Sequence, residues 1–249
     1  MGRASAVLGW RAAVAAVDCV LLGLYYAFHA SLVDTSTWTD VAVISLLLMP
    51  AVFLLVYLVL PFFRARELQL FLVGLAFVVL ALVLRQAGLD ALSDFAKLGA
   101  MTALAWWFLN YFESASWVVI VALIVPWVDA YSVWRGPTSN IVHNHRQVFT
   151  TLSFAFPIPG EDNAANLGLP DLLFFGLFLG AAARFALRPL LTWACLVASF
   201  GCTIALAVLF DLAGLPALPL LALSFLLPNA DLLWRGIRRE RANRRAAVR

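Results

Sequence analysis

Charged side chains are scarce in this chain. Only 12% of its 249 residues are Asp, Glu, Lys or Arg, whereas a soluble domain averages about 25%. Hydrophobic residues make up 64%, against about 45–50% in soluble proteins, and the mean hydropathy is +0.94. This composition excludes a soluble globular protein and predicts an all-α polytopic membrane protein.

Metal-binding residues are also few. The three cysteines, Cys19, Cys195 and Cys202, lie in apolar segments without metal-ligand spacing, so we interpret them as small buried apolar side chains. His143 and His145 lie in a polar loop with no Cys, Asp or Glu cluster beside them, which favours solvated histidines. The sequence therefore predicts neither a metal site nor a cofactor.

Lysine is nearly absent, since sixteen arginines accompany a single lysine, Lys97. Together with abundant Ala and Leu, this indicates a prokaryotic source with a GC-rich genome. Seven of the arginines lie in the tail at residues 235–249. A basic tail is also compatible with nucleic-acid binding, but after a hydrophobic helix the positive-inside rule explains it more simply. We therefore expect the lipid bilayer, and no nucleic acid, as a partner.

Long apolar runs are plentiful. A membrane-crossing helix needs about 20 mainly apolar residues, and eight such runs are present, at residues 12–33, 41–63, 68–84, 97–112, 115–134, 168–187, 190–210 and 215–234. We expect a four-helix part at 1–114, a second transmembrane part at 115–234 with an outer loop at 135–167, and a basic tail at 235–249. Gly176 and Gly180, four residues apart, predict close packing of the sixth helix.

The arginines predict the orientation. With the N-terminus in the cytoplasm, Arg3, Arg11, the segment 64–67, the turn at 184–188 and the tail all fall on the cytoplasmic side, so both termini are cytoplasmic. We therefore expect a multi-pass protein of the prokaryotic plasma membrane, of unknown oligomeric state.

Within the outer loop, residues 148–156 alternate Thr or Ser with apolar residues and are predicted to be extended, up to the prolines at 157 and 159.

Two aspartates interrupt consecutive helices at the same predicted depth. Asp129 lies about 7–8 Å before the end of the fifth helix, and Asp171 about 5 Å after the start of the sixth. An ionisable residue within a membrane is costly and marks a candidate functional site. Asp18, in the first helix, has no such partner, and we interpret it as structural or water-facing.

Such a pair of carboxylates can hydrolyse a peptide bond. Two neighbouring carboxylates in a low-dielectric site cannot both ionise cheaply, so they share a proton. The charged carboxylate takes a proton from water, while the protonated one donates to the scissile carbonyl. Alternatively, each aspartate is a structural hydrogen-bond partner or part of an ion path.

The predicted eighth helix begins with a proline-flanked segment. Pro216 and Pro219 enclose Ala217 and Leu218, on the same side of the membrane as the two aspartates. Because proline lacks an N–H, this end leaves backbone groups unsatisfied, and an extended peptide can pair with them. Taken alone, the segment is explained by a proline-capped helix start. Beside two aspartates it indicates a substrate-binding site.

The segments "WVDAYSVW", "LGLPD" and "LPALP" resemble the three signature elements of the presenilin and signal peptide peptidase family, in particular its prokaryotic presenilin-like members. The match covers roughly residues 115–234. The resemblance implies a presenilin-like fold and an intramembrane aspartyl protease that cuts transmembrane helices or signal peptides, with Asp129 and Asp171 as the catalytic pair. It also implies a substrate-binding surface made of Gly168, Leu169, Pro170, Pro216, Ala217, Leu218 and Pro219.

The chain departs from the family pattern at two positions. Val128 stands where the family has a tyrosine, which removes a hydroxyl from the site. Pro170 stands where the family has its second glycine, and proline fixes φ near about −65° and removes an N–H. These departures favour the alternative function, a catalytically degenerate presenilin-like protein that binds helices or forms an ion or proton path.

Overall fold

A computed structural model describes residues 2–135, 151–212 and 215–247. The loop histidines and the predicted extended residues 148–150 lie outside this part of the chain. The described residues form eight helical segments and one β-hairpin. In chain order these are α1 Gly2–Phe28, α2 Thr37–Arg64, α3 Glu67–Gln86, α4 Asp90–Leu109, α5 Ala115–Arg135, β1 Ser153–Pro157, β2 Ala164–Gly168, α6 Leu169–Arg184, α7 Pro189–Leu209 and α8 Leu218–Ala247.

Among the described residues, six helices are long and apolar enough to cross a membrane, which confirms a polytopic, mainly helical membrane protein. They are α1, α2, α3, α5, α7 and α8. The other two differ for physical reasons. α4 carries Asp90, Asp94 and Lys97, and α6 has only 16 residues, about 24 Å at 1.5 Å per residue. Both are extensively buried by protein.

α2 changes its hydrogen-bonding pattern along its length. Its two α-helical parts, Thr37–Val43 and Met49–Val59, flank a π-helical turn at Ile44–Leu48, and a 3₁₀ turn at Leu60–Arg64 ends the segment. The π turn precedes Pro50, which has no N–H to offer the preceding turn. The regular hydrogen-bond ladder is therefore interrupted within this helix.

Several helix boundaries differ from the prediction, and those of α4 and α8 concern the polar residues. α4 begins at Asp90 and not at residue 97, because its charged residues find partners within the protein: Lys97 Nζ lies 2.7 Å from Asp94 Oδ1. α8 begins at Leu218, so Pro216 and Ala217 precede the helix. At its other end α8 continues to Ala247, which makes most of the basic tail an extension of the same helix.

The β-hairpin stands directly before α6 in the chain. β1 and β2 are antiparallel, with Ser153 opposite Gly168 and Pro157 opposite Ala164. The prediction of an extended segment is confirmed at residues 153–156, but residues 151–152 are not extended and the strand includes Pro157. β2 was not predicted, because its mainly small and polar residues have low strand propensity.

Buried aromatic rings hold α6 against its neighbours. The ring of Phe175 lies 4.2 Å from that of Phe53 in α2, which in turn stacks on Phe200 of α7 at 5.1 Å. Phe178 stacks on Phe225 of α8 at 4.8 Å. All five rings are fully buried, and packing of this kind stabilises a core beyond the area it buries. The helix that carries Asp171 is thus fixed from several sides.

Close packing of α6 against α4, predicted from Gly176 and Gly180, is confirmed. A Cβ added at Gly176 would lie 3.3 Å from Cα of Thr102, and one added at Gly180 would lie 2.7 Å from Cδ1 of Trp106. Trp106 Nε1 also donates a hydrogen bond to Gly176 O at 3.1 Å. The two helices therefore have no room for larger residues here.

Replacing Gly180 by alanine is expected to destabilise the protein. The new methyl group would force Trp106 to move, and overpacking of this kind costs about 1–3 kcal/mol. Gly23→Ala in α1 is the matched control, because a Cβ there meets nothing within 4 Å and alanine is the better helix former. Thermal unfolding in detergent should show a lower Tm for Gly180→Ala only, and equal Tm values would contradict the close packing.

The interpretation of the cysteines as buried is wrong for two of the three. Cys19 and Cys202 are exposed, and Cys195 is partly buried; all three are free thiols. A helix face exposed to lipid is as apolar as a protein core, so apolar sequence context did not distinguish the two environments.

Candidate active site

Asp129 lies near the C-terminal end of α5. Pro126, inside this helix, cannot donate an N–H to the carbonyl of Ala122, which loses its usual helical partner. Trp127 and Val128 are exposed, whereas Asp129 is half-buried. The helix therefore presents its apolar residues outward and turns the carboxylate toward the protein.

Asp171 lies in the first turn of α6. Gly168 is the N-cap residue of this helix, and Asp171 is an acidic residue in its first turn. A negative charge in this position is favourable, because the free amides of a helix start carry partial positive charge. A Cβ at Gly168 would lie 3.2 Å from Asp171 Oδ2, so a larger residue would crowd this carboxylate.

The proline-flanked segment contacts the first aspartate directly. The backbone N–H of Leu218, the first residue of α8, donates a hydrogen bond of 3.0 Å to Asp129 Oδ2. The first amides of a helix have no partner within the helix and readily bind an anion. A carboxylate from α5 therefore satisfies an amide at the start of α8.

α5 and α6 are in contact, and the carboxyl groups of Asp129 and Asp171 are near enough to interact electrostatically. Three segments far apart in the sequence thus meet at one end of the bundle: the end of α5, the β2–α6 junction and the start of α8. Their contacts include one backbone-to-carboxylate hydrogen bond, from Leu218 N to Asp129 Oδ2, and an electrostatic interaction between the two carboxyl groups. This arrangement could hold one proton between two carboxylates beside a helix N-terminus.

The residues predicted to bind substrate differ in exposure. Gly168 and Leu169 are half-buried, and Leu169 N donates to Leu152 O at 3.1 Å, which extends the hairpin ladder by one step. Pro170 is exposed. The remaining four follow in order: Pro216, Ala217 and Leu218 are buried, and Pro219 is partly buried. Pro170 is thus the most accessible member of the predicted surface.

No protein-family model and no curated protein matches the chain. The family resemblance therefore depends on the three motifs and on their meeting at one site.

In the described part of the chain, no strand pairs with the outer edge of β2 beside this site. In an antiparallel ladder, opposite residues alternate between pairs that hydrogen-bond to each other and pairs that do not. Two bonds at the ends of this ladder, Ile158 N to Asn163 O and Leu169 N to Leu152 O, show which pairs bond. It follows that the backbone of residues 164, 166 and 168 points away from β1. Among the described residues, the backbone of Asn166 has no hydrogen-bond partner on that edge.

Sequence reasoning missed a set of polar residues around the hairpin. Asp94 and Lys97 form a buried ion pair in α4 that contacts β1, and Tyr25 and Tyr26 of α1 bond to the same strand. A signal was available, because the only lysine follows an aspartate at the i, i+3 spacing of a helix face. It was missed because the predicted apolar runs end at residue 84 and resume at residue 97, which placed Asp94 between two helices.

Asp18 lies apart from this site. It lines an open groove between α1 and α2, together with Ala13, Val14, Val17, Leu21 and Leu54. Its Oδ2 atom is buried and has no hydrogen-bond partner among the described residues. Because the groove includes no residue of the aspartate pair, Asp18 provides an internal comparison for the two aspartates that do meet.

Proposed function

We propose that the protein is an intramembrane aspartyl protease of the presenilin and signal peptide peptidase type, which hydrolyses peptide bonds within transmembrane helices or signal peptides. The observation that carries the proposal is the meeting of Asp129, Asp171 and the amide of Leu218 at one site. Asp18 shows that an aspartate can be placed in this bundle without such neighbours, so the meeting of the other two calls for an explanation.

The proposed mechanism uses the aspartate pair and one water molecule. With one proton shared between them, the ionised carboxylate removes a proton from water as the oxygen attacks the scissile carbonyl carbon. The protonated carboxylate gives its proton to the carbonyl oxygen, which forms a neutral tetrahedral diol. Collapse of the diol breaks the C–N bond: the protonated carboxyl group gives its proton to the leaving nitrogen, and the ionised carboxylate takes the proton of a diol hydroxyl. The pair is then left with one shared proton, as at the start.

The hairpin suggests how substrate reaches the pair. A helix bonds its own amides, so it must unwind locally before a peptide bond is accessible. The open edge of β2, at Asn166, can pair with the backbone of such an unwound segment irrespective of its side chains. β2 ends three residues before Asp171, so an added strand would lead toward the carboxylates.

We further propose eight spans, with both termini in the cytoplasm of a prokaryotic cell and the site near the outer surface. α4 and α6 would be the two additional spans, and their burial supports this because a helix enclosed by protein needs neither the length nor the apolar surface of a lipid-facing one. The arginine distribution supports the orientation.

A matched pair of inhibitors tests the proposed activity. The purified protein, reconstituted in phospholipid liposomes, is expected to cleave a synthetic single-span peptide with helix-destabilising residues near one end. A peptide analogue with a hydroxyl-bearing tetrahedral carbon at the scissile position mimics the diol and should block cleavage at least about 100-fold more strongly than the same analogue without the hydroxyl. Equal inhibition, or no cleavage across a set of such peptides, would rule out the proposal.

A non-catalytic function has one observation in its favour. Asp129 accepts the N–H of Leu218 at the start of α8, and Asp171 lies in the first turn of α6. Each carboxylate can therefore be explained as a charge that stabilises a helix start by about 0.3–1 kcal/mol. The protein would then be a degenerate relative that binds helices or forms an ion path, in keeping with Val128 and Pro170. Ion flux through liposomes that depends on Asp171, without any peptide cleavage, would support this alternative.

A further inference from the structure

The outer edge of β1 is the second edge of the hairpin, and side chains cover it. By the alternation of the ladder, Phe154 and Phe156 bond to β2, and the backbone groups of residues 153, 155 and 157 point the other way. In a larger sheet, a third strand would pair with these backbone groups. Here two helices supply the partners.

The ion pair of α4 hydrogen-bonds to two of these outward-facing backbone groups of β1. Lys97 Nζ donates to Ser153 O at 2.9 Å, and Asp94 Oδ2 accepts from Ala155 N at 3.0 Å. Asp94 Oδ1 and Lys97 Nζ are joined at 2.7 Å, and both side chains are 8% exposed. The ion pair therefore bonds to Ser153 and Ala155, which are two residues apart. This is the spacing at which the backbone of a strand presents its groups to the same side.

Two tyrosines of α1 take the remaining carbonyls. Tyr26 Oη donates to Ala155 O at 2.9 Å, and Tyr25 Oη donates to Pro157 O at 2.7 Å. Pro157 has no N–H, so its carbonyl is its only group that needs a partner. Both backbone groups of Ala155, the central residue of the strand, are thus bonded to side chains.

These contacts connect α1 and α4 to the candidate active site through the hairpin. The register of the ladder places β2 relative to β1, and β2 ends at Gly168, where an added Cβ would lie 3.2 Å from Asp171 Oδ2. A displacement of β1 would therefore be passed to the residue that caps α6 and orients the carboxylate. The link consists of two hydrogen-bonded steps, from side chains to β1 and from β1 to β2.

We propose that Tyr25, Tyr26, Asp94 and Lys97 form a strand clamp that takes the place of a third strand and positions the hairpin so that Asp171 meets Asp129. The four side chains are positioning residues and do not touch the reacting atoms. The effect on catalysis rests on the proposed protease function, whereas the effect on the hairpin does not.

The double variant Tyr25→Phe/Tyr26→Phe tests the clamp while retaining both rings. Loss of two hydrogen bonds to the strand should increase hydrogen exchange at the amides of Phe156 and Leu167 about tenfold. Exchange within α6 and α7 should stay as in the parent protein. For peptide cleavage, we expect kcat to fall by about tenfold with KM little changed, and the cleavage position to spread over adjacent bonds.

Two controls separate positioning from general destabilisation. Tyr57→Phe in α2 removes a hydroxyl that bonds to no described residue of the hairpin, and Ser93→Ala removes a buried hydrogen bond from α4 to Ala81 O of α3. Neither should alter hairpin exchange or the cleavage position. If hairpin exchange is unchanged in the double tyrosine variant, the clamp is refuted whether or not the protein cleaves peptides.

The two failures are distinguishable. Faster hairpin exchange combined with unchanged kcat and cleavage position would refute the positioning of Asp171 but leave the protease proposal intact. Absence of cleavage by the parent protein would end the protease proposal, and hydrogen exchange would still decide whether the four side chains hold the strand.

Discussion

Asp129→Asn and Asp171→Asn are each expected to lower the rate of transmembrane peptide cleavage by at least about 10³-fold, since general acid–base catalysis contributes about 10²–10⁴-fold and each aspartate serves in both roles during the cycle. A single remaining carboxylate cannot both remove a proton from water and hold one for the carbonyl oxygen. Cleavage is measured by mass spectrometry of the products from reconstituted protein.

Asparagine is the informative replacement because it keeps the size and shape of the aspartate side chain while removing its charge. At position 129 its carbonyl oxygen can still accept from Leu218 N. The fold and Tm should therefore change little while activity disappears. Asp18→Asn is the matched control, an equal change at an aspartate outside the site, and it should keep full activity. Cleavage that survives in either site variant would show that the pair is not the catalytic centre.

The second large effect concerns the ion pair of α4. Asp94→Asn and Lys97→Met should each destabilise the protein by about 3–5 kcal/mol, because each leaves one buried charge without its partner. The double variant Asp94→Asn/Lys97→Met has no buried charge in this place, so it should be more stable than the sum of the single changes predicts. Unfolding in mixed detergent micelles measures all three.

Ser93→Ala provides the scale for this experiment. It removes a buried but uncharged hydrogen bond one residue away from Asp94, which is worth about 1 kcal/mol. If the single charge variants lose no more than Ser93→Ala, or if the double variant loses the full sum, the pair does not contribute as a buried ion pair.

The helices were largely predictable from the order of residues. Apolar runs long enough for a bilayer appear as such in the sequence, and every predicted run overlaps a helix in the structure. The errors occur where a helix or strand contains few apolar residues. The start of α4 was misplaced because Asp90, Asp94 and Lys97 resemble a loop when their partners are unknown, and β2 was missed because its residues have little strand propensity.

The two aspartates were also predictable as neighbours, because consecutive antiparallel helices bring the end of one and the start of the next to the same depth. Their bonding partners were not. Whether an amide such as Leu218 N points at a carboxylate depends on where helix α8 begins to within one residue, and that boundary is the least certain feature of a sequence-based prediction.

Composition and spacing along the chain therefore account for the apolar helices, for the two aspartates as neighbours and for the close packing at Gly176 and Gly180. All three follow from local periodicity and from the antiparallel order of consecutive helices. Folding in three dimensions adds the partners of the polar groups. Lys97 meets Ser153 and Tyr26 meets Ala155 across more than fifty residues of sequence. Hydrogen bonds between such distant segments leave no periodic trace in the sequence, because they depend on how whole helices pack.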